Sequence, residues 1–154
     1  YRDRGLSCTV LRYANIYGPR QDPHGEAGVV AIFCQRLLAG APVQVNARAE
    51  AGDRGCLRDY TYVDDVVKAN LAALGGECPH PLMNIGTGIA TDTQTLLETL
   101  QAQGDFSSEV SFTPPREGDV QRSVLEVSPF VDTFGTPMSV AEGLPKTMAW
   151  FRGQ

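Results

Sequence analysis

An α/β fold is what the 154 residues predict, and three observations carry that prediction. Segments of strand character and segments of helical spacing alternate along the chain, the pattern of a sheet flanked by helices. Two short runs, residues 7–13 and 82–86, are apolar almost throughout, as strands buried on both faces of a parallel sheet are. With 42% apolar and 20% charged residues, the composition is that of an ordinary globular domain with one real core, which sets aside disordered and fibrous classes.

The elements follow in order. Residues 7–13 combine Thr9, Val10, Leu11 and Tyr13 in the first strand, and a loop rich in Gly and Pro comes next. Gly28 to Leu38 carries Val29, Ile32, Phe33 and Leu37 at helical spacing, and Gly40 with Pro42 ends that helix. Val43-Gln44-Val45 is a short strand. From Asn46 to Gly55 the chain is a polar loop, and Leu57-Arg58-Asp59-Tyr60 is extended again. Asp64 and Asp65 place acidic charge at the start of a helix from Val63 to Leu74, which Gly75-Gly76 stops. The strand at 82–86 runs into the turn Gly86-Thr87-Gly88, after which Thr91 or Asp92 caps a helix bearing Leu96, Leu97 and Leu100. Val110-Ser111-Phe112 alternates as a half-exposed strand does, and Pro114-Pro115 forbids its continuation. A short helix at 129–134 and a last one from Val140 to Phe151, with Leu144, Met148 and Phe151 on one face, complete the chain. No repeat or linker divides it, so residues 1–154 form one unit.

A net charge of −5 argues against nucleic acid or an anionic membrane as partner, since such binding needs a basic surface to neutralise phosphates. Cys8, Cys34, Cys56 and Cys78 are widely spaced without a Cys-x-x-Cys pair, so they are expected to be free thiols in a reducing compartment. No apolar run reaches the ~18 residues of a membrane span. A cytoplasmic protein is the expectation.

Ligands of open α/β sheets sit at the carboxyl ends of the strands, where Asn15 offers both a donor and an acceptor. Arg58 closes a Gly-rich loop, and Arg116 lies in the rigid segment Pro114-Pro115-Arg116-Glu117-Gly118-Asp119. Two guanidiniums on separate loops can clamp a pyrophosphate, and Asp119 is an acceptor suited to ribose hydroxyls. Each alone is an ordinary surface charge; the combination gives them meaning. Gly86-Thr87-Gly88 lacks a third glycine and a following Lys, so it is a tight turn rather than a phosphate loop. His24 and His80 sit beside Gly and Pro as turn residues, and no Ser-His-Asp or His-Glu-x-x-His set can be assembled.

In this order, Leu11-Arg12-Tyr13-Ala14-Asn15-Ile16-Tyr17-Gly18-Pro19, Gly28-Val29-Val30, Arg58-Asp59-Tyr60-Thr61-Tyr62-Val63-Asp64-Asp65, Asn84-Ile85-Gly86-Thr87-Gly88 and Arg116-Glu117-Gly118-Asp119 resemble the carboxyl-terminal half of the extended short-chain dehydrogenases. Within them the chain is most similar to the NAD-dependent epimerase/dehydratase family, nearest its UDP-glucose 4-epimerases. The resemblance implies a carboxyl-terminal substrate-binding lobe plus remnant parallel strands of a Rossmann-like sheet. It implies that Asn15 contacts a nucleotide-sugar near its phosphates and that Ala14 lies beside the nicotinamide end of NAD. By the same resemblance Gly28 and Val29 open a helix lining the nucleotide pocket, Val45 and Asn46 border the base, Arg58 and Arg116 hold the pyrophosphate, and Asp119 holds the ribose. The implied activity is interconversion of UDP-glucose and UDP-galactose through a 4-keto intermediate. A 4,6-dehydratase, an epimerase of another sugar such as a uronic acid, and a free-standing nucleotide-sugar binding module are the alternatives.

The sequence departs from the family pattern in two ways. Asn46 stands where the family usually has an aromatic residue, and the loop from Ala47 to Cys56 is longer than common. Neither a Gly-x-Gly-x-x-Gly fingerprint nor a Tyr-x-x-x-Lys pair is present. The chain opens at Tyr1-Arg2-Asp3-Arg4-Gly5, where Arg2-Asp3-Arg4 has the look of a helix end. The expectation is a fragment that neither binds NAD nor turns over on its own, with self-association possible through the exposed edge of the 7–13 and 82–86 strands.

Overall fold

A computed structural model of the chain describes residues 4–5, 8–24 and 28–154. The helix end expected at Arg2-Asp3-Arg4 and the first residue of the 7–13 strand fall on Arg2, Asp3 and Ser7, outside the described residues. In chain order the elements are β1 (Val10–Tyr13), β2 (Asn15–Tyr17), α1 (Val29–Leu38), β3 (Val43–Asn46), β4 (Leu57–Arg58), β5 (Tyr60–Tyr62), α2 (Val63–Leu74), β6 (Leu82–Ile85), β7 (Thr91–Asp92), α3 (Thr93–Gln101), β8 (Val110–Thr113), β9 (Arg122–Ser123), α4 (Ser128–Phe134) and α5 (Val140–Arg152). Parallel pairing dominates, as the α/β class requires: β1 with β6, β2 with β5 and β3 with β8. A small mixed sheet sets β4 between antiparallel β7 and parallel β9.

Where a loop was expected after residue 13, the chain continues as β2, and the reason is a change of partner. Ala14 still donates its N–H to Ile85 of β6, whereas Asn15 donates to the carbonyl of Asp59 beside β5. The backbone therefore passes from one strand to another across a single residue, which holds Asn15 at the junction. The expectation that 7–13 is buried on both faces is corrected. Strand geometry begins at Val10, and Val10 and Tyr13 are 47% and 44% exposed. Among the described residues β1 is paired on one edge, with β6. In β6, Met83 and Ile85 are buried while Leu82 is exposed.

Two apolar clusters fix the elements. The larger gathers Phe33 and Leu37 of α1, Val43 and Val45 of β3, Leu96, Leu97 and Leu100 of α3, and Leu144 and Met148 of α5 around Tyr17, Tyr60 and Tyr62. The smaller places Val66 and Ala69 of α2 against Met83, Ile85 and Phe130. Each fully buried Leu contributes about 1.5–3 kcal/mol relative to exposure, so the helices are held by this packing more than by intrinsic propensity. Their ends are set locally. Asp92 caps α3 by accepting from the N–H of Thr95 at 2.7 Å, and Ser139 with Glu142 forms a capping box at the start of α5. No helix among the described residues is long and apolar enough to cross a membrane.

One close approach gives a direct prediction. Gly143 of α5 abuts Tyr17, whose ring meets Tyr62 edge to face at 5.7 Å and whose hydroxyl donates to the carbonyl of Ser139 at 3.4 Å. A Cβ on Gly143 would overlap the Tyr17 hydroxyl and come within 3.0 Å of Tyr62 Cδ2. Ala is the better helix former by about 1 kcal/mol, but overpacking costs roughly 1–3 kcal/mol, and Tyr17 is boxed in. Gly143→Ala is expected to lower the thermal midpoint by on the order of 5 °C, with part of the loss recovered in a Tyr17→Phe background.

Candidate functional site

The carboxyl ends of β1, β3 and β4, the β2 strand, the amino end of α1 and the turn at 116–119 surround one cleft of about 1070 Å³. Ala14, Asn15, Gly28, Val29, Asn46, Arg58, Arg116 and Asp119 all line it. Segments far apart in sequence thus bring eight of the nine singled-out residues to one cleft. Val45 is the one placed elsewhere. It is fully buried in the larger core with Val43, because a strand alternates its faces and the apolar pair takes the inner one.

The lining also holds residues that the sequence did not single out: Arg20, Arg36, Gln44 and Thr93. Arg36 lies seven residues after Val29 on α1 and Gln44 two before Asn46 on β3, so helical and strand periods were the signals that could have found them. Arg20 sits in the turn after Gly18-Pro19 with φ 67°, a left-handed conformation uncommon outside glycine. Four guanidiniums, Arg20, Arg36, Arg58 and Arg116, therefore share the cleft with one carboxylate, Asp119, in a chain whose net charge is −5. The amino end of α1 adds to this. Among the described residues its N-cap Gly28 has no side-chain capping bond and its first turn carries no acidic residue, and this positive dipole end lies at the cleft. The arrangement is built for an anion of more than one charge.

Arg58 is positioned from behind. It pairs with Thr91 and Ser123 in the mixed sheet and donates from Nη1 to the carbonyl of Leu57 at 3.0 Å. The next residue, Asp59, is 1% exposed, and its carboxylate accepts from the Thr87 N–H at 2.8 Å, the Thr87 hydroxyl at 2.7 Å, the Gly88 N–H at 3.0 Å and the Leu125 N–H at 3.4 Å. Its main chain donates to Ser123 and accepts from Asn15. Gly86 must lack a side chain for this to happen, because a Cβ there would lie 2.5 Å from Asp59 Oδ2. The Gly86-Thr87-Gly88 turn is thus a cradle for a buried carboxylate, and Asp59 ties Asn15, Arg58 and that turn together.

The 47–56 loop is held from within. The carboxylate of Asp53 accepts from the N–H groups of Arg48 and Ala49 at 2.7 Å, of Gly55 at 2.8 Å and of Glu50 at 3.2 Å. The Arg48 bond foremost, joined by the other three against the opposing effect of burial, holds the Asp53 carboxyl well below the usual carboxylate range. A folded pKa below the unfolded value of ~3.9 means that the stabilisation is complete above that value and is lost as pH falls through the folded one. On acidification, the NMR amide signals of Arg48, Ala49 and Gly55 are expected to hold through pH ~4 and to move together below it. Asp53→Asn should abolish that coordinated acid transition.

Tyr60 lines the same cleft, and burial pushes its phenol up to about 12, so it is neutral at physiological pH. Among the described lining residues there is no His or Lys, and the four guanidiniums are donors suited to holding an anion.

The NAD dependent epimerase/dehydratase family model matches residues 1–86. A UDP-glucose 4-epimerase of Mycolicibacterium smegmatis is 42% identical over 151 residues, which cover 97% of this chain and 47% of that relative. A crystal structure of the UDP-glucose 4-epimerase of Thermus thermophilus in complex with NAD superimposes with a TM-score of 0.87 at 44% identity, over 99% of this chain and 49% of the other. The UDP-glucose 4-epimerase of Thermotoga maritima with UDP-glucose gives 0.84 at 46% identity, over 99% and 48%. The chain spans about half the length of the relatives it matches.

Proposed function

The chain belongs to the NAD dependent epimerase/dehydratase family, and from that premise we propose that its cleft is the nucleotide-sugar site of an epimerase interconverting UDP-glucose and UDP-galactose. One observation carries the proposal. Four guanidiniums and the amino end of α1 converge on a single cleft in a chain of net charge −5. A diphosphate needs charge-assisted bonds of this kind, while the sugar has to stay loosely held if both of its faces are to be presented for reaction.

In this reading Arg58 and Arg116 grip the two phosphates from separate loops, Asn15 and the α1 amino end with Gly28 and Val29 complete the anion site, and Asp119 accepts the ribose hydroxyls. Tyr60, buried and neutral, excludes water without exchanging protons. NAD is part of the Thermus thermophilus complex. Of the residues here, Ala14 alone is assigned toward it, and neither a Gly-x-Gly-x-x-Gly nor a Tyr-x-x-x-Lys string occurs in the chain. These residues do not make a dinucleotide site, and the chain alone is expected to bind substrate without converting it. Titration calorimetry with UDP-glucose tests the proposal. One-to-one binding that weakens as salt is raised supports it, and the absence of heat at millimolar ligand overturns it.

A further inference from the structure

Sheet pairing leaves one ladder open. Val10 donates its N–H to the carbonyl of Pro81 and Ala14 donates to that of Ile85, so Val10, Arg12 and Ala14 turn their main chain toward β6. Main-chain groups alternate sides along a strand. Those of Leu11 and Tyr13 therefore face away from β6, where no strand among the described residues meets them. Such an edge is a template for a further strand unless proline, charge, a bulge or a covering segment blunts it. In β1, Val10-Leu11-Arg12-Tyr13, there is no proline and one charge.

A helix face overhangs the same edge. Val66 and Ala69 of α2 are buried against Met83 and Ile85. Tyr13 donates its hydroxyl to Asn70 Oδ1 at 2.9 Å, which marks the side of α2 that lies over β1. At 3.6 residues per turn, Val67, Leu71 and Leu74 come round beyond Asn70, farther from the buried pair, and they are 48%, 63% and 87% exposed. With Tyr13 they present on the order of 500 Å² of accessible surface, the upper part of what a typical monomer leaves as its largest apolar patch. None of these residues lines the cleft, so the surface is independent of how the cleft is read.

We propose that two copies of this chain join through the open edge, β1 pairing antiparallel with β1 of the second copy about a twofold axis perpendicular to the sheet. In a solution of the chain alone the edge finds its complement in itself, because each hydrogen-bonded residue of an antiparallel pair both gives and takes a main-chain bond. Placing Leu11 opposite Leu11 of the second copy sets Val10 across from Arg12. That register keeps the two Arg12 side chains from facing one another, where like charges would oppose pairing. The axis carries both α2 helices to one face of the resulting four-stranded sheet, antiparallel to each other, with the Val67, Leu71 and Leu74 stripes turned inward. Ladder and stripe together approach the ~800 Å² per partner of a standard interface. A twofold contact of this kind is closed, so assembly stops at two.

The test is sedimentation equilibrium of the purified chain from low to high micromolar concentration, with amide hydrogen exchange followed residue by residue. The mass is expected to rise to that of two chains and no further, and the Leu11 and Tyr13 amides to exchange about tenfold more slowly or better in the dimer than in the dilute monomer. Leu71→Glu combined with Leu74→Glu changes two exposed side chains, and circular dichroism checks that the variant is folded. It should raise the dissociation constant by roughly 100-fold; if it does not fold, exchange in the parent decides. A mass of one chain at the highest concentration overturns the proposal and leaves this face to the part of the longer relatives that the chain does not span. A dimer whose Leu11 and Tyr13 amides are unprotected, or one that the folded α2 variant leaves intact, is joined elsewhere and overturns it too. Masses that climb past two chains do the same, since they mark an open assembly rather than a closed pair.

Discussion

Replacing Asp59 with alanine is expected to destabilise the domain by about 4 kcal/mol, much of the 5–15 kcal/mol that holds a typical domain folded. The carboxylate is 1% exposed and accepts from three N–H groups and one hydroxyl. Removing it leaves four donors without their acceptor and opens a cavity beside Gly86, so both large contributions act together. Asp59→Asn keeps the volume but points an amino group at N–H donors, and should recover little. Thr87→Val removes one hydroxyl bond while keeping the shape, and should cost about 1 kcal/mol. Urea unfolding of the set provides the check. A midpoint for Asp59→Ala within about 1 kcal/mol of the parent at unchanged slope would show that the cradle is ornamental.

The second large effect is on binding. Charge-assisted bonds contribute about 1.5–3 kcal/mol each, so Arg58→Ala and Arg116→Ala should each weaken UDP-glucose binding by roughly 10- to 100-fold. Because both are assigned to one diphosphate, the double variant should fall short of the product of the singles. Lysine should restore little at either position, since a point charge cannot reproduce the planar fork. Arg54 supplies the control. It bridges Asp92 at 3.2 Å and Glu98 at 2.8 Å and does not line the cleft, so Arg54→Ala should leave affinity unchanged. Calorimetry at two salt concentrations separates the outcomes. If Arg58→Ala and Arg116→Ala bind like the parent, the guanidiniums are surface charges and the phosphates are held elsewhere.

What could be read from the sequence depended on how local its cause was. The helices α2, α3 and α5 announce themselves through apolar spacing and through Asp64, Asp92 and the stop at Gly75-Gly76, all within a turn or two. Strand β8 was legible from alternation and from Pro114-Pro115. By contrast β2 follows β1 with no turn signal between them, and exists because Asn15 finds the Asp59 carbonyl some forty residues away. Two-residue β7 and β9 have no period at all and are defined by pairing with β4. In the cleft, Asn15, Arg58, Arg116 and Asp119 were legible as chemistry-bearing residues beside loops. Asp59 was hidden behind Arg58, since nothing nearby in the chain says that a turn beginning at Gly86 will bury it. The alternation of Val43 and Val45 with Gln44 and Asn46 already assigns the inner face to Val45, so Gln44 was the more legible partner of Asn46.

Every main strand pair joins residues that are remote along the chain: Val10 meets Leu82, Asn15 meets Tyr60 and Val43 meets Val110. Long loops must close before any of these ladders gives a return, and no hairpin among the described residues is available as a first step. The chain is therefore expected to acquire helix early and its sheet late, reaching the native state over milliseconds to seconds rather than microseconds. In that interval the half-formed strands expose bare ladders, so the yield of correctly folded protein should depend on concentration during refolding more than on final stability.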